Sequence, residues 1–163
     1  MKNVTLIGMP SVGKSTVGIV LAKLTGRQFI DTDLILQKSG EKLPSLISRL
    51  GAKRFIELES ETLSKITAEN SVIATGGSAV YGERGMERLK GVSTVIYLKA
   101  PVSELKRRLG DFSRRGVVTL GAKTVEELFA ERAPLYERYA DITIEETGTL
   151  TDTVYEIMKA LNE

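Results

Sequence analysis

The sequence predicts an α/β fold, a three-layer arrangement in which a parallel β-sheet of about five strands is flanked by helices. Three observations carry the prediction. Short apolar runs alternate with stretches of helical spacing along the 163 residues, the pattern that produces parallel sheets covered on both faces. The first run, "NVTLIG", passes straight into the glycine- and lysine-bearing loop "GMPSVGKST" at residues 8–16. Glycines or carboxylates close three of the apolar runs, at Gly8, at Asp31 to Asp33 and at Gly76-Gly77. Ligands of such sheets gather at the carboxyl ends of the strands, so these residues are expected on one rim.

The elements follow in order. "VTLIG" is the first strand. Thr16 to Thr25 carries Val17, Val20, Leu21 and Leu24 at helix spacing. "RQFIDTD" gives a short second strand, and alternation along it points Asp31 and Asp33 the same way. Leu43 to Thr67 is helical, as two helices, with Pro44 near the first start. "SVIATGG" (71–77) is the third strand and "STVIYLKA" (93–100) the fourth, followed by a helix from Val102 to Leu109. Residues 110–124 hold three glycines and little periodicity, which predicts a mobile loop. A helix over Val125 to Tyr139, a strand at "DITIEE" and a helix from Thr151 to Leu161 complete the chain. No repeat or long linker interrupts it, so one domain spanning residues 1–163 is expected.

Composition narrows the chemistry. Hydrophobic residues make up 42% and charged residues 27%, ordinary for a globular chain. A net charge of +2 is too mild to require nucleic acid or an anionic membrane as partner. With no cysteine and no histidine, thiol chemistry and imidazole acid–base catalysis are excluded. No apolar run approaches a membrane span, and the first strand begins too early for a signal peptide. A cytoplasmic protein, monomeric by default, is expected, working through Lys, Arg, Asp, Glu and hydroxyls.

Gly8, Gly13, Lys14 and Ser15 fill the pattern G-x-x-x-x-G-K-[ST]. Glycines let the chain curl until successive backbone N–H groups face phosphate oxygens, and the following helix adds the positive end of its dipole. Lys14 reaches the β- and γ-phosphates in such loops, and Ser15 offers a hydroxyl to Mg²⁺. The context, strand before and helix after, makes this a P-loop nucleotide site. A dinucleotide site is disfavoured because no G-x-G-x-x-G follows a strand. The guanine-reading N-K-x-D and the switch D-x-x-G of GTPases are absent, which favours a small-molecule kinase. Asp31 and Asp33 then have two readings: one holds Mg²⁺ while the other orients or deprotonates a hydroxyl, or the pair forms a turn and helix cap.

The stretches "GMPSVGKST", "FIDTDLI", "SVIATGGSAV", "RRLGDFSRRGV" and "AERAPLYERYAD" together resemble the shikimate kinase family over nearly the full length. That resemblance implies a P-loop kinase fold of the nucleoside-monophosphate-kinase type with a mobile lid, here residues 110–124, and an acceptor-binding helical region near 33–61. It implies transfer of the γ-phosphoryl group of ATP to the 3-hydroxyl of shikimate, a step in aromatic amino-acid synthesis. By the family pattern, backbone amides of Ser11, Val12, Gly13, Lys14, Ser15 and Thr16 cradle the phosphates, with Ser15 and Asp31 around Mg²⁺. Asp33 binds and deprotonates the acceptor, Gly77 lets it approach the backbone, and Arg132 binds its carboxylate. Arg108 lies against adenine, and Arg115, from the Arg114-Arg115 pair, reaches the phosphates. These roles make sense without the family too, although Arg108, at an ordinary charged helix end, is as readable as a surface charge, and Arg115 and Arg132 have that reading as an alternative.

The same resemblance exposes departures. The family stretch E-x-x-F-R-x-x-E is "AKRFIELE" here, so Ile56 stands where a carboxylate-gripping arginine belongs. Arg49 or Lys53 on the same helical face is expected to supply the missing charge, or Ile56 packs against a less polar acceptor. Ser78 replaces the third glycine of G-G-G, and Ser11 replaces a frequent glycine, tolerable where the local φ is negative. Two alternatives to shikimate phosphorylation stay open: a relative acting on another hydroxylated acid or polyol, and a nucleotide-binding module without turnover.

Overall fold

The computed structural model describes residues 2–112 and 115–163. Its single sheet holds five parallel strands in the order β2-β3-β1-β4-β5. These are β1 (Asn3–Ile7), β2 (Gln28–Asp31), β3 (Ser71–Ala74), β4 (Ser93–Lys99) and β5 (Ile142–Glu145). β1 lies in the middle, with Val4 beside Val72 of β3 and Thr94 of β4. All five of its residues are buried, which is why it reads as a nearly continuous apolar run rather than an alternating one.

Helices α1 (Lys14–Thr25), α2 (Thr32–Leu36), α3 (Leu43–Leu50), α4 (Ala52–Ser64), α5 (Glu83–Val92), α6 (Val102–Leu109), α7 (Val125–Tyr139) and α8 (Leu150–Ala160) pack around the sheet. α1 buries Val17, Gly18, Leu21 and Ala22 and stops at Gly26, whose φ of 68° closes the last turn. At Gly18 the sheet comes so close that a Cβ would lie 2.7 Å from the Phe29 ring. Gly51, at φ 77°, separates α3 from α4. These two helices, with α2 and Val118, enclose a second small core around Leu36, Leu46 and Phe55.

The expected strands and the pair of helices between 43 and 67 are present. Residues 78–92, given no element from the sequence, form a short 3-10 turn at Ala79–Tyr81 followed by α5. The stretch carries Gly82, Gly85 and Gly91, which lower helix propensity. Packing supplies the missing stability, because Met86 and Leu89 of α5 are wholly buried.

Two local expectations need correction. The alternation argument for Asp31 and Asp33 fails because β2 ends at Asp31 and Asp33 already belongs to α2. Asp31 caps that helix, accepting a hydrogen bond from the Asp33 N–H at 3.0 Å. Ser11 has a φ of 64° rather than a negative one. A left-handed serine is strained by roughly 1–2 kcal/mol, partly offset in comparison with glycine by the latter's greater unfolded-state freedom. Ser11→Gly is therefore expected to stabilise the fold by roughly 0.5–1 kcal/mol, visible as a higher urea midpoint at unchanged slope. A lower midpoint would sink this account.

Candidate active site

Gly8 and Gly13 shape the loop between β1 and α1. At Gly8, with φ 147°, a Cβ would sit 2.5 Å from the Leu98 carbonyl oxygen, so only glycine lets the loop leave the sheet there. Gly13, at φ 98°, precedes α1 without any side-chain cap, and no acid lies in the first turn. The first-turn N–H groups thus meet an approaching anion without a competing side chain. Lys14 is buried, its Nζ donating to the Gly8 and Met9 carbonyls at 2.7 and 2.8 Å. Burial lowers its ammonium to about 8, against the opposing pull of Asp33. Beside it the Ser15 hydroxyl donates to Asp31 Oδ2 at 2.9 Å. A hydroxyl and a carboxylate, both hard oxygen donors in contact, suit Mg²⁺, which takes few protein ligands and completes its shell with phosphate and water.

A cavity of about 300 Å³ opens next to this loop. Asp33 and Glu59 both crowd the open face of Gly76, where a Cβ would meet Glu59 Oε2 at 2.8 Å and Asp33 Oδ1 at 2.9 Å. Both oxygens are buried without a protein partner. Unpartnered buried acceptors at a cavity wall fit a ligand rich in hydroxyl donors. Burial, then the charge of Asp31, raises the Asp33 carboxyl above its usual range. Glu59, only 2% exposed, accepts from the Ser78 hydroxyl at 2.6 Å, and burial pushes it up to about 7.

Arg132 of α7 reaches the same cavity although it is 1% exposed. It donates from Nη2 to the Val118 carbonyl at 2.5 Å and from Nε to the Tyr81 hydroxyl at 3.2 Å. Its Nη1 faces Gly77, where a Cβ would lie 2.8 Å away. The Tyr136 hydroxyl fixes that glycine by donating to its carbonyl at 2.7 Å. Arg115, Gly116, Val117 and Val118 complete the wall.

This constellation has relatives. The family model described as shikimate kinase matches residues 10–162. The chain belongs to the shikimate kinase family. A shikimate kinase 2 from an Enterobacter species is 40% identical over 96% of this chain and 93% of its own. A shikimate kinase from Clostridium botulinum is 35% identical over 99% of this chain and 98% of its own. A shikimate kinase from Acinetobacter baumannii, solved in complex with shikimate, superposes with a TM-score of 0.88 at 31% identity, covering 99% of this chain and 93% of that one. This shikimate kinase relative is accordingly a phosphotransferase with an alcohol acceptor.

The kinase brings most of the residues singled out from the sequence to the one cavity. Ser11, Gly13, Lys14, Ser15, Thr16, Asp33, Gly77, Arg115 and Arg132 all line it. Val12 and Arg108 line a neighbouring cleft of about 230 Å³ with Gly13, Thr16, Glu146 and Thr149. There Arg108 is held by Glu104 and Glu146, at 3.0 and 3.1 Å. Arg115 donates to the Arg108 carbonyl at 3.0 Å, while Arg114 lies outside the described residues. Ile56 does not line the cavity. It packs half-buried against the core around Phe55 and borders a separate cleft with Ser60 and Tyr81. Neither candidate replacement for the missing arginine reaches the cavity: Arg49 is paired at the surface with Glu41 at 2.7 Å, and Lys53 is exposed.

Sequence reasoning assigned no role to Glu59, Ser78, Val118 or Glu146. For Glu59 a signal existed. It lies four residues from Phe55 and four from Leu63, on the buried stripe of α4, where a lone acid requires a reason. That acid has a measurable consequence. Glutamate ordinarily titrates at 4.5, and here the folded state holds the proton up to about 7. The stabilising contribution of this proton is full below the unfolded value and lost as pH rises through the folded one. Between pH 4.5 and about 8 the wild type is expected to lose on the order of 3 kcal/mol relative to Glu59→Gln. Urea titrations of both proteins at the two pH values check it, and parallel pH slopes would refute it.

Proposed function

We propose that the protein transfers the γ-phosphoryl group of ATP to the 3-hydroxyl of shikimate, giving shikimate 3-phosphate and ADP. The observation that carries this reading is the convergence on one cavity of the phosphate loop, the Asp33 carboxylate and the buried Arg132 guanidinium. A hydroxylated ring acid bridging Asp33 and Arg132 presents its hydroxyl toward the phosphate loop.

The amides of Ser11 to Thr16 hold the phosphates, and Lys14 stabilises negative charge that grows on them during transfer. Ser15 and Asp31 would hold Mg²⁺, which would supply positive charge beside the phosphates. Asp33, with a raised carboxyl affinity for protons, accepts the proton of the acceptor hydroxyl as its oxygen bonds to γ-phosphorus and the bridge to ADP breaks. Gly77 leaves room for the acceptor against the backbone. Arg108, in the neighbouring cleft with Glu146 and Thr149, offers a flat face to the adenine. Arg115 adds charge from the 110–124 segment, whose glycines 110, 116 and 121 all have φ between 55° and 115° and allow it to close as a lid. Because Ile56 is aliphatic and outside the cavity, the acceptor carboxylate is gripped by Arg132 alone of the two family arginines. Every group invoked comes from one chain, so a monomer suffices for the reaction, and a cytoplasmic location belongs to the same proposal. No helix among the described residues is long and apolar enough to cross a membrane.

ADP release with Mg-ATP and shikimate, run beside acceptor-free enzyme and Lys14→Ala, tests the reading. Turnover at roughly 1–100 per second is expected. Intact ATP binding with no shikimate-dependent release overturns it.

A further inference from the structure

We infer that Tyr81 is a positioning residue, its hydroxyl tied to Glu131 and fixing the Arg132 guanidinium so that Nη1 faces the acceptor. This rests on the proposed role of Arg132 as carboxylate binder. Arginine has about 2 kcal/mol of rotamer entropy, and a single-sided grip on a carboxylate works only if the fork is already aimed. Three contacts do the aiming beside the Tyr136 hydroxyl, which also bears on the guanidinium. The Tyr81 hydroxyl donates to Glu131 Oε1, which turns an oxygen lone pair toward the Nε–H of Arg132 at 3.2 Å. The Tyr81 ring lies beneath the guanidinium, its centroid 5.2 Å from the central carbon. The Val118 carbonyl takes Nη2. Nε and Nη2 are thereby held, and Nη1 lies against Gly77, whose carbonyl is fixed by Tyr136.

Tyr81 does not touch the cavity itself. It borders the separate cleft with Ile56, Ser60 and Arg84, so its influence on the acceptor passes through Arg132. Its backbone position is well suited to this. The 3-10 turn Ala79–Tyr81 directly follows Gly76, Gly77 and Ser78, so a short rigid link joins the hydroxyl to the glycine wall that the acceptor must touch. The next helix is pressed onto α4, with a Cβ at Gly85 only 2.9 Å from that of Leu63. Burial and the bond to Glu131 raise the phenol above its ordinary range, so the hydroxyl keeps its proton at working pH.

Tyr81→Phe removes the oxygen and keeps the ring. The expected result is a KM for shikimate raised roughly five- to tenfold, with kcat, the KM for ATP and the melting temperature little changed. In an Arg132→Met background the same change is expected to add nothing, because the group through which Tyr81 acts is gone. An unchanged shikimate KM in Tyr81→Phe overturns the inference while leaving the proposed function standing. So does a full additive loss in the double variant. Absence of shikimate turnover in the wild type removes the proposed function, and this inference with it.

Discussion

Lys14→Ala is expected to lower kcat by roughly 10²–10³-fold, the loss seen when one preorganised charge-stabilising donor is removed. The ammonium sits at the start of α1, 7% exposed, held by the Gly8 and Met9 carbonyls. Burial lowers its proton affinity to about 8, so at neutral pH the protein keeps a cation in a place that disfavours one. That charge is compensated once phosphate oxygens arrive and become more negative during transfer. The fold itself should persist, since the ammonium's partners are two carbonyls on the loop rather than core groups. Single-turnover ADP formation, compared with ATP binding and a melting curve, separates the outcomes. A kcat within tenfold of wild type would remove Lys14 from the transfer step.

Arg132→Met should act on the acceptor instead. Methionine fills much of the space of the arginine stem and needs no partner, but leaves the acceptor carboxylate opposite no fork. Breaking a desolvated charge pair by removing one member costs about 2–5 kcal/mol, so kcat/KM for shikimate falls by at least roughly 30-fold, with the KM for ATP unaffected. Among the described residues the cations lining the cavity are Lys14, Arg115 and Arg132, and the first two are assigned to phosphate. A variant that retains normal shikimate KM would show that the carboxylate is held elsewhere.

The parallel sheet and its order of elements were legible because buried strands leave apolar runs and helices leave periodic ones. The phosphate loop was legible because its chemistry requires glycine and lysine at fixed offsets. Local geometry was less so. Asp31 and Asp33 were placed on one strand by alternation, yet Asp31 turns the chain into α2 by capping it, and the pair meets the site from two elements. α5 was invisible because tertiary burial of Met86 and Leu89 overrides three glycines. Ile56 matched a binding position in the family pattern, but whether a helical side chain reaches a cavity depends on how α4 is rotated, which spacing alone does not fix. The partners of Arg132 come from positions 81 and 118, far apart in the chain and unmarked by any motif.

The placement of β1 between β3 and β4 has a consequence for how such an enzyme can diverge. The phosphate loop springs from the innermost strand, whose neighbours on both sides hold it in register. Asp33, proposed to act on the acceptor, directly follows the edge strand β2, while Arg108 lies in α6 after β4 and its partner Glu146 follows the other edge strand β5. The β2 margin, which carries Asp33, and the β5 margin, which carries Glu146, can therefore change independently of each other while the phosphate loop between them stays anchored.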